Sequence, residues 1–262
     1  MVSRLCNVLI VLFVQVAVYW QADSGINKTD ADGKRQGRWM KTYRNGAVMY
    51  DGVFRNGYPE GEFRRYYENG VLQSVLVYSE QGTEADATIY HPNGFVSARG
   101  RYVNRRKEGV WEFYSRFENG YVVVKELYAD NMRNGESLKL YQGGVVAERM
   151  SFRNDTASGE WIKYFPDGGI NLKTTMAGGM IDGRFEAWFD NGQLQFSGTY
   201  SRDKKDGLWR VYEKDGTLRY EINYDDGITS DRLIDIDTDR YIDSLERDAG
   251  KIPDPEKQEL PF

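Results

Sequence analysis

The side chains best spaced for chemistry lie near the C-terminus. Asp235, Asp237, Asp239, Asp243 and Glu246 fall at positions 1, 3, 5, 9 and 12 of a calcium loop, with Ile242 at the apolar position 8. Arg240 stands where such a loop needs glycine for its sharp turn, and no helix is expected before Asp235. The run reads instead as an acidic linker entering a capped helix. His91, the sole histidine, precedes Pro92 and reads as a turn residue, since one histidine without cysteines cannot build a zinc site. No nucleophile elbow, phosphate-binding GxxxxGK[ST] or dinucleotide-binding GxGxxG is found. Hence no catalytic, cofactor-binding or metal-binding residues are assigned, no cofactor is expected, and the chain is read as a non-enzyme.

The aromatic residues, 14% of the chain, suggest a stacking platform for carbohydrate or single-stranded nucleic acid. Nucleic acid would also require a basic groove. Residues 228–262 carry ten acidic and five basic side chains, a net of −5 that equals the charge of the whole chain. Everything before them therefore sums to zero, and no nucleic-acid partner is expected. The basic clusters Arg99, Arg101, Arg105, Arg106, Lys107 and Arg202, Lys204, Lys205 interleave with acids near turns and read as solvated loop charges. They leave room for weak attraction to anionic lipid heads.

The elements carrying these residues recur at a fixed period. Leading residues Gly37, Gly61, Ala85, Gly109, Gly135, Gly159, Gly183 and Gly207 are spaced by 24, except for 26 after Gly109, where Arg116 and Phe117 look inserted. Each copy has a turn pair: Asn45-Gly46, Asn69-Gly70, Asn93-Gly94, Asn119-Gly120, Gly143-Gly144, Asp167-Gly168, Asn191-Gly192 and Asp215-Gly216. Such pairs suit two-residue type I′ turns and predict eight β-hairpins. Two residues after the start stand Trp39, Phe63, Trp111, Trp161, Phe185 and Trp209. Beyond each turn an aliphatic residue, Val48 to Leu218, is followed six later by Phe54, Tyr78, Tyr102, Tyr128, Phe152, Met176, Tyr200 or Tyr224. An even step keeps both on one face of a strand, so one face is apolar and the charged positions between face water. A lone hairpin cannot bury that face, and stacked neighbours must supply the core. Ala85, Ala87 and His91-Pro92 in the third copy, and Ser137 and Gly143 in the fifth, break the pattern and mark weak points, bends or contact sites.

The unit Gly-x-Trp/Phe-x-x-Tyr…Asn-Gly-x-Leu…Tyr resembles the MORN repeat, in the bacterial variant of YwqK-type antitoxins. The resemblance implies an all-β fold, an elongated single-sheet ribbon of about eight MORN-like β-hairpins. It also implies a scaffolding, membrane-proximal or self-associating role, or neutralisation of a partner toxin.

Residues 1–24 read as a signal peptide or an N-terminal anchor. Arg4 precedes an apolar run from Val8 to Trp20, shorter than the ~20 residues a span needs. Cys6 precedes that run, so the mature chain would hold no cysteine. Residues 25–32 read as a polar linker containing the sequon Asn27-Lys28-Thr29, 33–227 as the array, and 228–262 as an acidic segment with a capping helix (Asp239 to about Ala249) and a loose tail. The expected function is a protein-binding or scaffolding module, secreted or in the cell envelope, with an unidentified protein partner and scope for self-association. The alternatives are an antitoxin-like protein and a membrane-surface module. Phe117 in the irregular copies is a plausible contact residue.

Overall fold

The computed structural model describes residues 25–229. The N-terminal apolar run with Cys6, the calcium-like spacing and the expected capping helix lie outside the described residues.

The described chain is one long antiparallel open sheet in which each strand pairs with its neighbours in sequence. The strands are β1 (Lys28–Thr29), β2 (Arg35–Thr42), β3 (Val48–Arg55), β4 (Tyr58–Tyr66), β5 (Leu72–Ser79), β6 (Glu84–Tyr90), β7 (Val96–Val103), β8 (Arg106–Tyr114) and β9 (Val122–Ala129). They continue as β10 (Met132–Leu140), β11 (Val146–Arg153), β12 (Thr156–Tyr164), β13 (Ile170–Ala177), β14 (Met180–Ile181), β15 (Gly183–Trp188), β16 (Leu194–Ser201), β17 (Lys204–Tyr212) and β18 (Leu218–Tyr224). β14 and β15 are one strand interrupted at Asp182, and β1 is a two-residue flank on β2. The remainder is the expected eight hairpins. The presumed linker 25–32 thus supplies β1.

The turns differ from expectation. In the Asn-Gly pairs only glycine has positive φ, as at Gly46 (86°), and Asn45 does not. The Gly46 amide donates to Tyr43 O at 3.1 Å and the Tyr43 amide to Ala47 O at 2.8 Å. This is a type I turn closed by a glycine bulge, the usual alternative for a loop one residue longer. It fits the register shift at the end of every hairpin. The asparagine accepts a hydrogen bond from the amide two residues on, as at Asn45 (2.9 Å) and Asn191 (3.1 Å). Its Nδ2 donates to the next turn: Asn45 to Glu68 O, Asn93 to Arg116 O and Asn191 to Lys214 O, at 2.8–3.1 Å. Gly143 stands in asparagine's place in the fifth copy and adopts positive φ (91°) with the same two turn hydrogen bonds.

The two-residue turns with positive φ throughout lie instead between hairpins. They are Asn56-Gly57, Asn104-Arg105, Asp130-Asn131, Asn154-Asp155, Gly178-Gly179, Arg202-Asp203 and Asp226-Gly227. Each donates a backbone N–H to the carbonyl two residues before the preceding leading position, from Gly57 to Arg35 through Gly227 to Lys205, at 2.6–3.0 Å. That ladder ties successive hairpins along one margin.

The leading glycines have a separate task. Between β3 and β4, Asp51 pairs with Arg64 but Val53 with Glu60, so β4 carries two extra residues around Gly61 (φ 65°). The same bulge recurs in β8, β10, β12 and β17. In β4, β8 and β17 it brings the ring two residues after the glycine onto bare backbone of the preceding strand. A Cβ on Gly52 would lie 2.1 Å from Phe63, one on Gly100 2.3 Å from Trp111, and one on Gly198 2.2 Å from Trp209. Trp111 and Trp209 are fully buried, and their Nε1 atoms donate to Arg101 O and Thr199 O at 3.2 and 3.1 Å. Trp39 has no earlier copy to lie on, and its Nε1 donates to Lys28 O in β1 at 3.1 Å.

Two substitutions separate these roles. Gly198→Ala should cost about 1–3 kcal/mol because a methyl cannot fit beneath Trp209. Arg202→Gly, at an exposed position with φ 49°, should leave stability equal or raise it by up to about 1 kcal/mol. Urea unfolding of both variants checks the contrast.

Candidate functional site

The buried face holds one row of rings with basic residues laid over it. Lys107 Nζ stands 4.3 Å from the Tyr128 centroid and 5.4 Å from Trp111, and Lys205 Nζ 4.8 Å from Tyr224 and 5.5 Å from Trp209. Arg35 covers Trp39 and Phe54 at 4.8 and 5.0 Å, and Arg133 covers Phe152 at 4.1 Å. All four sit two residues before a leading glycine. Lys107 and Lys205 are therefore not solvated loop charges. Both are buried, with Nζ 3.3 Å from the hydroxyls of Tyr128 and Tyr224. The ring faces offset part of the cost of removing the ammonium from water.

The row breaks at both irregular copies. In the fifth, Ser137 stands where a ring belongs, and Glu126 stands where Gly52, Gly100 and Gly198 stand in other copies. Glu126 is buried; Tyr128 Oη donates to it at 2.6 Å, Ser137 Oγ lies 3.5 Å away, and Arg133 lies at 3.8 Å. Beside it Glu148, also buried, pairs with Lys139 at 3.0 Å and faces Lys163 across the strands. This polar seam parts two apolar clusters, one around Trp111 and the other around Trp209. The expectation that all charges between the rings face water fails here.

In the third copy Ala85 replaces the leading glycine, and β6 pairs with β5 without a bulge. The two residues a bulge would absorb pass into the connection, which lengthens to 80–83 and bends through Glu80, Gln81 and Gly82 at φ 46°, 55° and 77°. Where this loop meets the sheet a cavity of about 280 Å³ opens, lined by Tyr78, Ala85 and Tyr102, and another of about 410 Å³ lies across the loop beside Tyr58; Ala87 takes the ring position. Burial pushes the Tyr78 and Tyr102 hydroxyls above their ordinary pKa.

His91 belongs to a second ladder. The residue six after the start sends its side chain to the carbonyl one repeat on: Tyr43 to Tyr66, Tyr67 to Tyr90 and Tyr141 to Tyr164, each at 2.8 Å. His91 occupies that rung, with Nε2 3.5 Å from Tyr114 O. It is a turn histidine in place of tyrosine. Asn27 of the sequon is engaged as well, with Nδ2 donating to Met40 O and Oδ1 accepting from the Met40 amide at 2.9 and 2.8 Å. Phe117 stands 78% exposed in the inserted pair. On the outer face Glu136, Arg149, Glu160 and Lys173 form a chain of exposed ion pairs at 2.9–3.9 Å, worth little individually. Among the described residues no three His, Cys, Asp or Glu side chains group as a metal site requires.

The geometry defines a linear array of β-hairpin repeats. The sequence profile of the MORN repeat variant family matches residues 59–80, 181–202 and 205–226. Each match begins two residues before a leading glycine and spans one copy. No curated protein sequence matches the chain. Among solved structures, a crystal structure of TarM is similar over 37% of this chain and 20% of its own, with 13% identity and a TM-score of 0.28. MORN repeats suggest a repeat protein with a binding or scaffold role.

Sequence reasoning missed Glu126, Glu148 and the cavity. Comparison of the copies position by position, allowing for the inserted pair, would have marked Glu126 as a carboxylate in a glycine's place.

Burial holds the His91 imidazole below its ordinary pKa, and Arg116 adds to the effect. The stability it contributes is therefore present above the unfolded value of about 6.5 and is lost as pH falls from there toward the lower folded value. Asp51 and Glu112, whose carboxyls are held low by Arg38 and Lys125, lose their contributions only in the acid range below. His91→Tyr, which restores the rung, should flatten the fall in melting temperature between about pH 7 and 5. An unchanged slope would exclude His91 as its source.

Proposed function

We propose that the protein is a non-catalytic binding and scaffolding module, secreted or held in the cell envelope, whose partner is another protein. One observation carries this reading. The array spends its ring-bearing face on packing against itself, and the third copy alone among the described ones departs in leading residue, bulge, loop length and ring together. Packing of the array on itself needs none of those departures; a surface that recognises a partner does. The sequence of residues 1–24, read above as a signal peptide or anchor, supports the location. Neutralisation of a toxin is a narrower form of the same reading, because it too is protein binding.

Crosslinking of the tagged full-length chain in its own envelope, followed by affinity capture and mass spectrometry, tests the proposal. One partner at near-stoichiometric yield is expected, and a toxin-like partner would select the narrower form. Capture of the chain alone, together with salt-sensitive sedimentation on anionic vesicles, would replace a protein partner with a lipid surface.

A further inference from the structure

The third copy breaks the row of rings at one point. Trp39, Phe54, Phe63 and Tyr78 follow one another at 5.9–6.2 Å between centroids, and the row resumes with Tyr102 and Trp111 at 4.8 Å. Ala87 supplies no ring between them. Beside this break a cavity of about 280 Å³ is lined by Phe63, Leu76, Tyr78, Ala85 and Tyr102, together with loop residues 82–84 and the two arginines Arg65 and Arg105. That volume lies below the ~300–1,000 Å³ of ordinary ligand pockets and above the ~150 Å³ that accepts benzene. It suits one aromatic side chain with a short polar neighbour.

The charge of the wall is positive. Glu84 also lines the cavity, but its carboxylate is held by Arg101. Arg105 is exposed and occupies the second place of an inter-hairpin turn at φ 66°, where Gly57, Gly179 and Gly227 stand in three other turns and the short polar Asn131, Asp155 and Asp203 in the remaining three. A side chain is disfavoured in that conformation. The array therefore places a guanidinium over the gap where glycine would fit with less strain. Guanidinium groups recognise carboxylates through paired donors, and ring walls favour edge-to-face aromatic contacts.

We propose that this gap is a recognition pocket for an aromatic side chain of a partner polypeptide, with an adjacent acidic residue meeting Arg105. The pocket rests on the protein-binding reading above and names the chemistry of the partner. The partner's ring would join those of Phe63, Tyr78 and Tyr102, beside the point where the array's own row is interrupted.

Fluorescence anisotropy with the full-length chain tests it, using labelled peptides with Asp-Phe-Glu, Asp-Gly-Glu or Lys-Phe-Lys cores. The first should bind at least roughly tenfold more tightly than the other two. Arg105→Gly should lose about tenfold of that affinity while melting at the same temperature or higher, so lost binding cannot be ascribed to unfolding. Ala85→Phe, which fills the gap from within, should abolish binding. Equal binding of the three peptides, none at about 1 mM, or unchanged binding by Arg105→Gly overturns the pocket. A captured envelope partner that binds both variants like wild type would overturn the pocket and leave the protein-binding reading standing. Peptide binding as expected, with no envelope partner, would have the opposite meaning.

Discussion

The fold depends on rings lying on bare backbone. A sheet with an apolar face ordinarily buries it beneath a second layer. Among the described residues there is none, and the sheet covers itself. The bulge at a leading glycine adds two residues to the strand, and in three copies the ring that follows, Phe63, Trp111 or Trp209, comes to rest on the preceding strand where a Cβ is absent. Trp111 on Gly100 and Trp209 on Gly198 reach complete burial this way. Their indole N–H groups meet carbonyls one residue beyond the glycines, so the buried donors are satisfied by the same close approach.

The same contact explains which residues change together. Where Met150 replaces the glycine, Trp161 stays in the core but its buried Nε1 finds no acceptor. Where Ser137 replaces the ring, Glu126 takes the glycine's position, since the space above the backbone is no longer filled. A buried carboxylate there must be met, and Tyr128, Ser137 and Arg133 meet it. Where Ala85 replaces the leading glycine, no bulge forms, and the two residues move into the loop. Thr174 stands in the same place before Phe185, and that ring is still buried, so the glycine is one way of seating the ring and not the sole one.

Much of this architecture was legible in the sequence. The period, the eight hairpins and the apolar face follow from glycine spacing and even-numbered steps. The turn types did not, because Asn-Gly suits both a two-residue turn and a type I turn with a bulge. Only the hydrogen bond from Tyr43 N to Ala47 O separates the two. The inter-hairpin turns were harder still: Arg202-Asp203 carries no glycine, and its positive φ is imposed by the pairing on both sides. Lys107 and Lys205 were misread because a lysine beside a turn is usually solvated. Their burial depends on rings that arrive from the following strands.

In a linear array each copy contacts only its neighbours, so an interruption stays local. This array tolerates two, a polar seam and an open gap, while the ladders on either side continue. The seam is filled by groups that satisfy one another, as a structural repair would be. The gap is not: three rings, Leu76 and a longer loop line it, and no side chain of the array fills it. Departures that close on themselves serve the packing of the sheet, and one left open offers a surface for the partner proposed above. On that reasoning the proposed pocket falls in the third copy, and not in the more heavily charged fifth.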